Sequence, residues 1–138
     1  MLRIPALIYV NTANNHCLDK YQEGIDYSHE IWAKQKGIIT AGTYTSQKDR
    51  DTIRTIKRKG ITFSFLAYTY GTNGIEPPNP YSVAYFDEDR IREDVKKAKQ
   101  LLKKLSIDLK LTLICSESVT RLNAATLFRV CCQTWVLM

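Results

Sequence analysis

The chain has 138 residues, 44% of them hydrophobic and 25% charged, which fits one globular domain and excludes both a disordered chain and a membrane-spanning one. A chain of about this length buries roughly 68–70% of its unfolded surface, enough for a real core. Its net charge of +6, from 20 basic and 14 acidic residues, gathers at Lys57–Lys59 and in KKAKQLLKK; interleaved acids and missing aromatics there read as solvated surface, so no nucleic-acid partner is expected.

No apolar run approaches the 18 or so residues of a bilayer-crossing helix, and MLRIPALIYV meets polar residues without a small-residue cleavage site. No targeting signal is read. The four cysteines show no CxxC spacing, so neither a disulfide framework nor a zinc knuckle follows.

IPALIYV has the length and near-continuous apolarity of a buried strand in a parallel sheet. Ile25, Ser28, Ile31, Trp32 and Gln35 then mark a helix of about four turns, with Gly37 at its C-terminal cap. IITA predicts a short strand. The stretch from Thr52 to Arg58 turns at KRKG and returns as ITFSFLAYTY, a hairpin whose second arm is expected to be central.

GTNGIEPPNP is a turn-rich surface loop. FDEDRIREDVKKAKQLLKKL is the clearest helix, with Ile91, Val95, Ala98, Leu102 and Leu105 in one stripe, acids in its first turn and lysines in its last. IDLKLTLIC predicts a further strand. Alternating strands and helices indicate a layered α/β domain. Past Gly74 there is no Gly and past Pro80 no Pro although the chain still has to turn corners, so residues 111–138 read as a tail distinct from a domain over residues 1–110.

The candidate chemistry lies in NTANNHCLD, Asn11–Asp19, where a strand leads through a polar loop into a helix, the place where α/β folds keep their sites. Two readings of this loop stay open. Asn14 and Asp19 can satisfy backbone N–H groups as helix and turn caps. Alternatively, Asn15 offers a carbonyl oxygen to a cation, His16 acts as general acid or ligand, and Asp19 orients the histidine. Cys17 reads as a small buried residue rather than a nucleophile, since neighbouring side chains point apart. His29, inside the first helix, is expected to be a partly exposed surface residue.

The segments TANNHCLD, EGI, GTYTSQKDRDT, ITFSFLAYTYGTNGI and DEDRIREDVKKAKQL, in this order and over about Ile4 to Leu109, resemble the CapA family of bacterial poly-γ-glutamate capsule synthesis proteins. That family looks like a branch of the calcineurin-like metallophosphatases. The resemblance implies part of a layered α/β sandwich of the metallophosphatase type, αββα in the intact family. It implies a metal-dependent hydrolase with a divalent metal pair, such as Mn or Fe, that activates a bridging water. By similarity Asn15 is the metal ligand and His16 the catalytic histidine, with Asn14, Asp19, Thr72 and Asn73 bordering the cleft. A polyglutamate or phosphate-type substrate, other capsule-synthesis proteins as partners, and a membrane-associated or extracytoplasmic setting are implied likewise.

The sequence departs from the family in lacking its early aspartate GD motif, its Asn/Glu motif before NNH, its HWG motif and its distal GxHPH. The only histidines are His16 and His29. One asparagine beside one histidine falls short of the donors a metal pair needs, so the chain is expected to be an inactive internal fragment that binds no cofactor alone. A non-catalytic binding or interaction fragment is the alternative. Dropping two nucleotides from the codons of CCQTWVLM permits LSDLGVD, a segment of the type the family places before its distal histidines, so an out-of-frame tail is also expected.

Overall fold

A computed structural model describes residues 9–58, 61–104 and 109–116. Of the tail expected over residues 111–138, residues 111–116 belong to a described strand and residues 117–138 lie outside the described residues. The described residues form five strands and three helices, in the order strand, helix, strand, helix, strand, strand, helix, strand. Strand β1 (Tyr9–Asn11) pairs in parallel with β2 (Ile39–Ala41), and helix α1 (Tyr21–Ala33) crosses between them. A parallel neighbour requires such a crossover, because a tight turn can only reverse the chain.

The second sheet has the order β3-β4-β5. Strand β3 (Arg54–Arg58) runs antiparallel to β4 (Ile61–Thr69), and β5 (Leu109–Ser116) runs parallel to it after helix α3 (Glu88–Lys104). The second arm of the predicted hairpin is therefore central, and the fold is a partial α/β arrangement with two small sheets. A stack of Tyr9 on Phe65, with ring centroids 4.3 Å apart, links the sheets.

The core forms where the helical stripe meets β4. Ile91, Val95 and Ala98 are buried as the spacing predicts, and Ile91 and Val95 pack with Tyr44, Leu66, Tyr68 and Ala84. The side chains of Leu102 and Leu105 lie outside the described residues. A second cluster of Leu18, Ile25 and Val83, flanked by Cys17, Ile75 and Tyr85, sits under the Asn11–Asp19 loop.

Three elements differ from expectation. Helix α1 starts earlier and ends earlier than its periodicity suggests, at Tyr21 and Ala33, while Gly37 adopts φ +79° three residues past the C-cap Lys34. A short helix α2 (Gln47–Asp51) precedes β3, which begins at Arg54 rather than Thr52. Ser46 caps it by accepting from Asp49 N at 3.1 Å. Third, Ser82–Phe86 runs extended between the sheets: Tyr44 N donates to Ser82 O, Ala84 N to Gly42 O, Thr69 N to Ala84 O and Phe86 N to Thr69 O.

One charged group lies inside this core. Arg50 and Asp94, 6% and 2% exposed, meet at 2.8 Å, and the Tyr68 hydroxyl donates to the same Asp94 oxygen at 2.8 Å. Burial alone would lower the Arg50 guanidinium, but its bond to Asp94 and the neighbouring tyrosines lift it above the usual arginine value. Burial, then the Asp94 charge, pushes the Tyr68 phenol up. Arg50 also stands over the Tyr44 ring, 5.2 Å from its centroid.

Candidate functional site

Backbone bonds and two buried apolar residues hold the loop after β1. Ala13 and Leu18 are fully buried. The Asn11 side chain accepts from Ala13 N, and the Asn14 side chain accepts from His16 N, both at 2.9 Å. These are Asx turns, in which a short amide replaces a missing backbone partner. Cys17 N donates to Asn14 O and Asp19 N to His16 O, each at 3.2 Å, which folds the loop back on itself.

Asn14 thus does the capping work that its residue type allows. Asp19 does not: α1 begins after Lys20 without a side-chain cap, and the Asp19 carboxylate faces His16 Nδ1 at 2.9 Å. A carboxylate oxygen accepts, so Nδ1 donates in this bond, and in the neutral ring that leaves the lone pair on Nε2. Both side chains are largely exposed, 66% and 49%, so this pair contributes orientation far more than stability.

A second loop approaches from 58 residues away. Asn15 Nδ2 donates to Asn73 Oδ1 at 3.2 Å, and Asn73 Nδ2 stands 3.4 Å from His16 Nδ1. Asn15, His16, Asp19 and Asn73 therefore form one polar group, and its His16 and Asp19, with Asn11, Thr12, Asn14 and Trp32, border the mouth of a groove of about 450 Å³. Thr72 does not reach this group. Its hydroxyl donates to Ile75 O and meets Tyr85 OH, both at 2.6 Å, and it is 4% exposed, so it braces the turn that carries Asn73.

Three features escaped the sequence reading. Thr12 Oγ1 donates to Ala41 O and accepts from both the amide and the hydroxyl of Thr43, which ties the ends of β1 and β2 together. His29 is half-buried and donates from Nε2 to Thr43 O at 2.9 Å, so α1 is fastened to the same junction. Gly42 presses against Ala13 so closely that no side chain fits between them. Cys17 is half-buried against the second cluster, and burial pushes its thiol up, away from the reactive thiolate form.

Among the described residues no three His, Cys, Asp or Glu side chains come together as metal ligands. The mouth offers one imidazole, one carboxylate already bonded to it, and two amides bonded to each other. These donors do not by themselves suit a pair of divalent ions, each of which requires several anionic or imidazole ligands.

The His–Asp pair stands in a polar loop at the end of a parallel strand, inside α/β layers, which is where folds of this class keep their sites. The family model described as bacterial capsule synthesis protein PGA_cap matches residues 5–113, and the chain belongs to that family. It is thus a capsule synthesis protein of bacterial type. No curated protein and no solved structure matches the chain.

Proposed function

We propose that the protein serves poly-γ-glutamate capsule synthesis and that its Asn11–Asp19 loop is one wall of a metallophosphatase-like hydrolytic site. The observation that supports this reading is the His16–Asp19 pair at 2.9 Å. With its Nδ1 proton held by Asp19, His16 keeps Nε2 free to take a proton from an attacking water or to return one to a leaving oxygen. The substrate class is a polyglutamate or a phosphate ester, and other capsule-synthesis proteins are the natural partners.

The metal pair of such a site needs carboxylate and imidazole donors beyond those described above. The residues described supply the proton-handling group and no closed coordination shell, so the chain by itself is inactive in this reading. The same donor shortage favours a second reading, a non-catalytic part that docks on another chain. Tyr21 and Tyr27, 61% and 67% exposed on α1, are single aromatic contacts that such docking can use.

Titration calorimetry with Mn²⁺ separates these readings from an autonomous enzyme. The expected result for the purified chain is little heat. A stoichiometric micromolar site weakened by Asn15→Ala would show a complete metal centre and overturn the proposed inactivity. In a companion measurement, His16→Ala is expected to leave the unfolding midpoint nearly unchanged, since an exposed pair is worth about 0–1 kcal/mol. A large loss of stability would show that His16 is structural.

A further inference from the structure

Asn73 touches two residues of the facing loop at once, Asn15 at 3.2 Å and His16 at 3.4 Å. Its amide does not bond equally to both. His16 Nδ1 already donates to the Asp19 carboxylate at 2.9 Å, so the Asn73 nitrogen meets a donor there and the 3.4 Å approach is a contact. The directed bond left to Asn73 is the one its oxygen accepts from Asn15.

We propose that Asn73 is a positioning residue that holds the Asn15 amide nitrogen toward itself and leaves Asn15 Oδ1 as the open oxygen beside His16. The inference rests on the proposed function and deepens it by fixing the polarity of the mouth. An open amide oxygen beside His16 accepts an N–H or O–H donor of a ligand. The reverse orientation would present an NH₂ group and favour an oxyanion instead.

The turn around Asn73 is built for this. Thr72 is anchored below it by two short bonds, and Asn73 itself takes φ +55°, a left-handed conformation that asparagine tolerates better than most residues. Glycine tolerates it better still. Asn73→Gly therefore removes the amide without straining the turn, and Asn73→Asp keeps an acceptor oxygen in the same backbone.

The test is the side-chain amide signal of Asn15 in the ¹⁵N-labelled full chain, assigned by its loss in Asn15→Asp. In Asn73→Gly the Asn15 NH₂ protons are expected to exchange with water several-fold faster and to move toward the shifts of a solvated amide. Asn73→Asp is expected to retain the protection. An unchanged Asn15 signal in Asn73→Gly, with the backbone spectrum preserved, overturns the proposal. So does equal loss in both variants, which would assign the effect to the loop rather than to the acceptor. Mn²⁺ calorimetry judges the hydrolytic reading separately: a chain that binds Mn²⁺ unaided while Asn73→Gly still frees the Asn15 amide would overturn the proposed inactivity and leave the positioning role standing.

Discussion

Asp94→Leu is expected to lower unfolding stability by about 3–5 kcal/mol, the cost of leaving a buried charge without its partner. Asp94 accepts from both Arg50 and Tyr68 through one oxygen, and all three side chains are nearly sealed from water. Removing the carboxylate strands the Arg50 guanidinium and a phenol in the core, where neither is rehydrated. The double variant Arg50→Met/Asp94→Leu removes the charge along with its counterion and is expected to recover most of the loss, because apolar replacements of buried ion pairs are often neutral or stabilising. Urea unfolding of the single and double variants measures both terms. A single variant within about 0.5 kcal/mol of the parent, the ordinary range of a surface change, would show that water reaches Arg50 after all.

Gly42→Ala carries the second large effect, and it acts on the candidate site. Gly42 holds φ +118°, a conformation that L residues rarely adopt, and a Cβ there would lie 2.5 Å from both the backbone nitrogen and the Cβ of Ala13. Backbone has no rotamer by which to yield. The Asn14–Asp19 loop, which follows Ala13 directly, has to shift instead. Strain plus overpacking is expected to cost about 2–5 kcal/mol. Gly37 is the internal control: it also has positive φ, +79°, but nothing lies within 4 Å of its would-be Cβ. Gly37→Ala is expected to lose only the conformational part, about 1 kcal/mol. Equal losses at the two positions would show that the contact with Ala13 does not matter. The amide resonances of Asn14 to His16 are expected to move in Gly42→Ala and to stay in place in Gly37→Ala.

Much of the architecture was legible because two strand–helix–strand units carry their own periodicity. The stripe through Ile91, Val95 and Ala98 is helical by spacing alone, and the run from Ile61 to Thr69 is apolar enough to be central. Helix α2 was missed because five residues are too few for periodicity, although Ser46 followed three positions later by Asp49 is a start signal in its own right. The extended stretch Ser82–Phe86 left no comparable mark. It is held by single bonds to distant backbone, and such pairings are set by the fold around them.

The candidate site divides in the same way. The turns built by Asn11 and Asn14 follow from local chemistry, since each bonds an amide two residues on. The choice for Asp19 between capping α1 and orienting His16 depended on how the chain bends after Cys17, which residue types do not specify. The Asn15–Asn73 bond joins loops 58 residues apart, and the Arg50–Asp94 pair spans 44. Only the family resemblance drew Asn73 toward the loop, and nothing in the sequence pointed to the ion pair.

Ala84 has a mechanical consequence. Its N–H reaches the carbonyl that follows the first sheet and its C=O receives the amide at the end of the central strand of the second. One residue thus rivets together two layers that share no hydrogen-bond ladder of their own, and the flanking bonds of Ser82 and Phe86, the Arg54 side chain bonded to Thr40 O and the Tyr9–Phe65 stack fasten them further. Neither layer is free to swing against the other, so heating should dismantle both in one step, and the polar mouth should vanish along with them rather than fraying first.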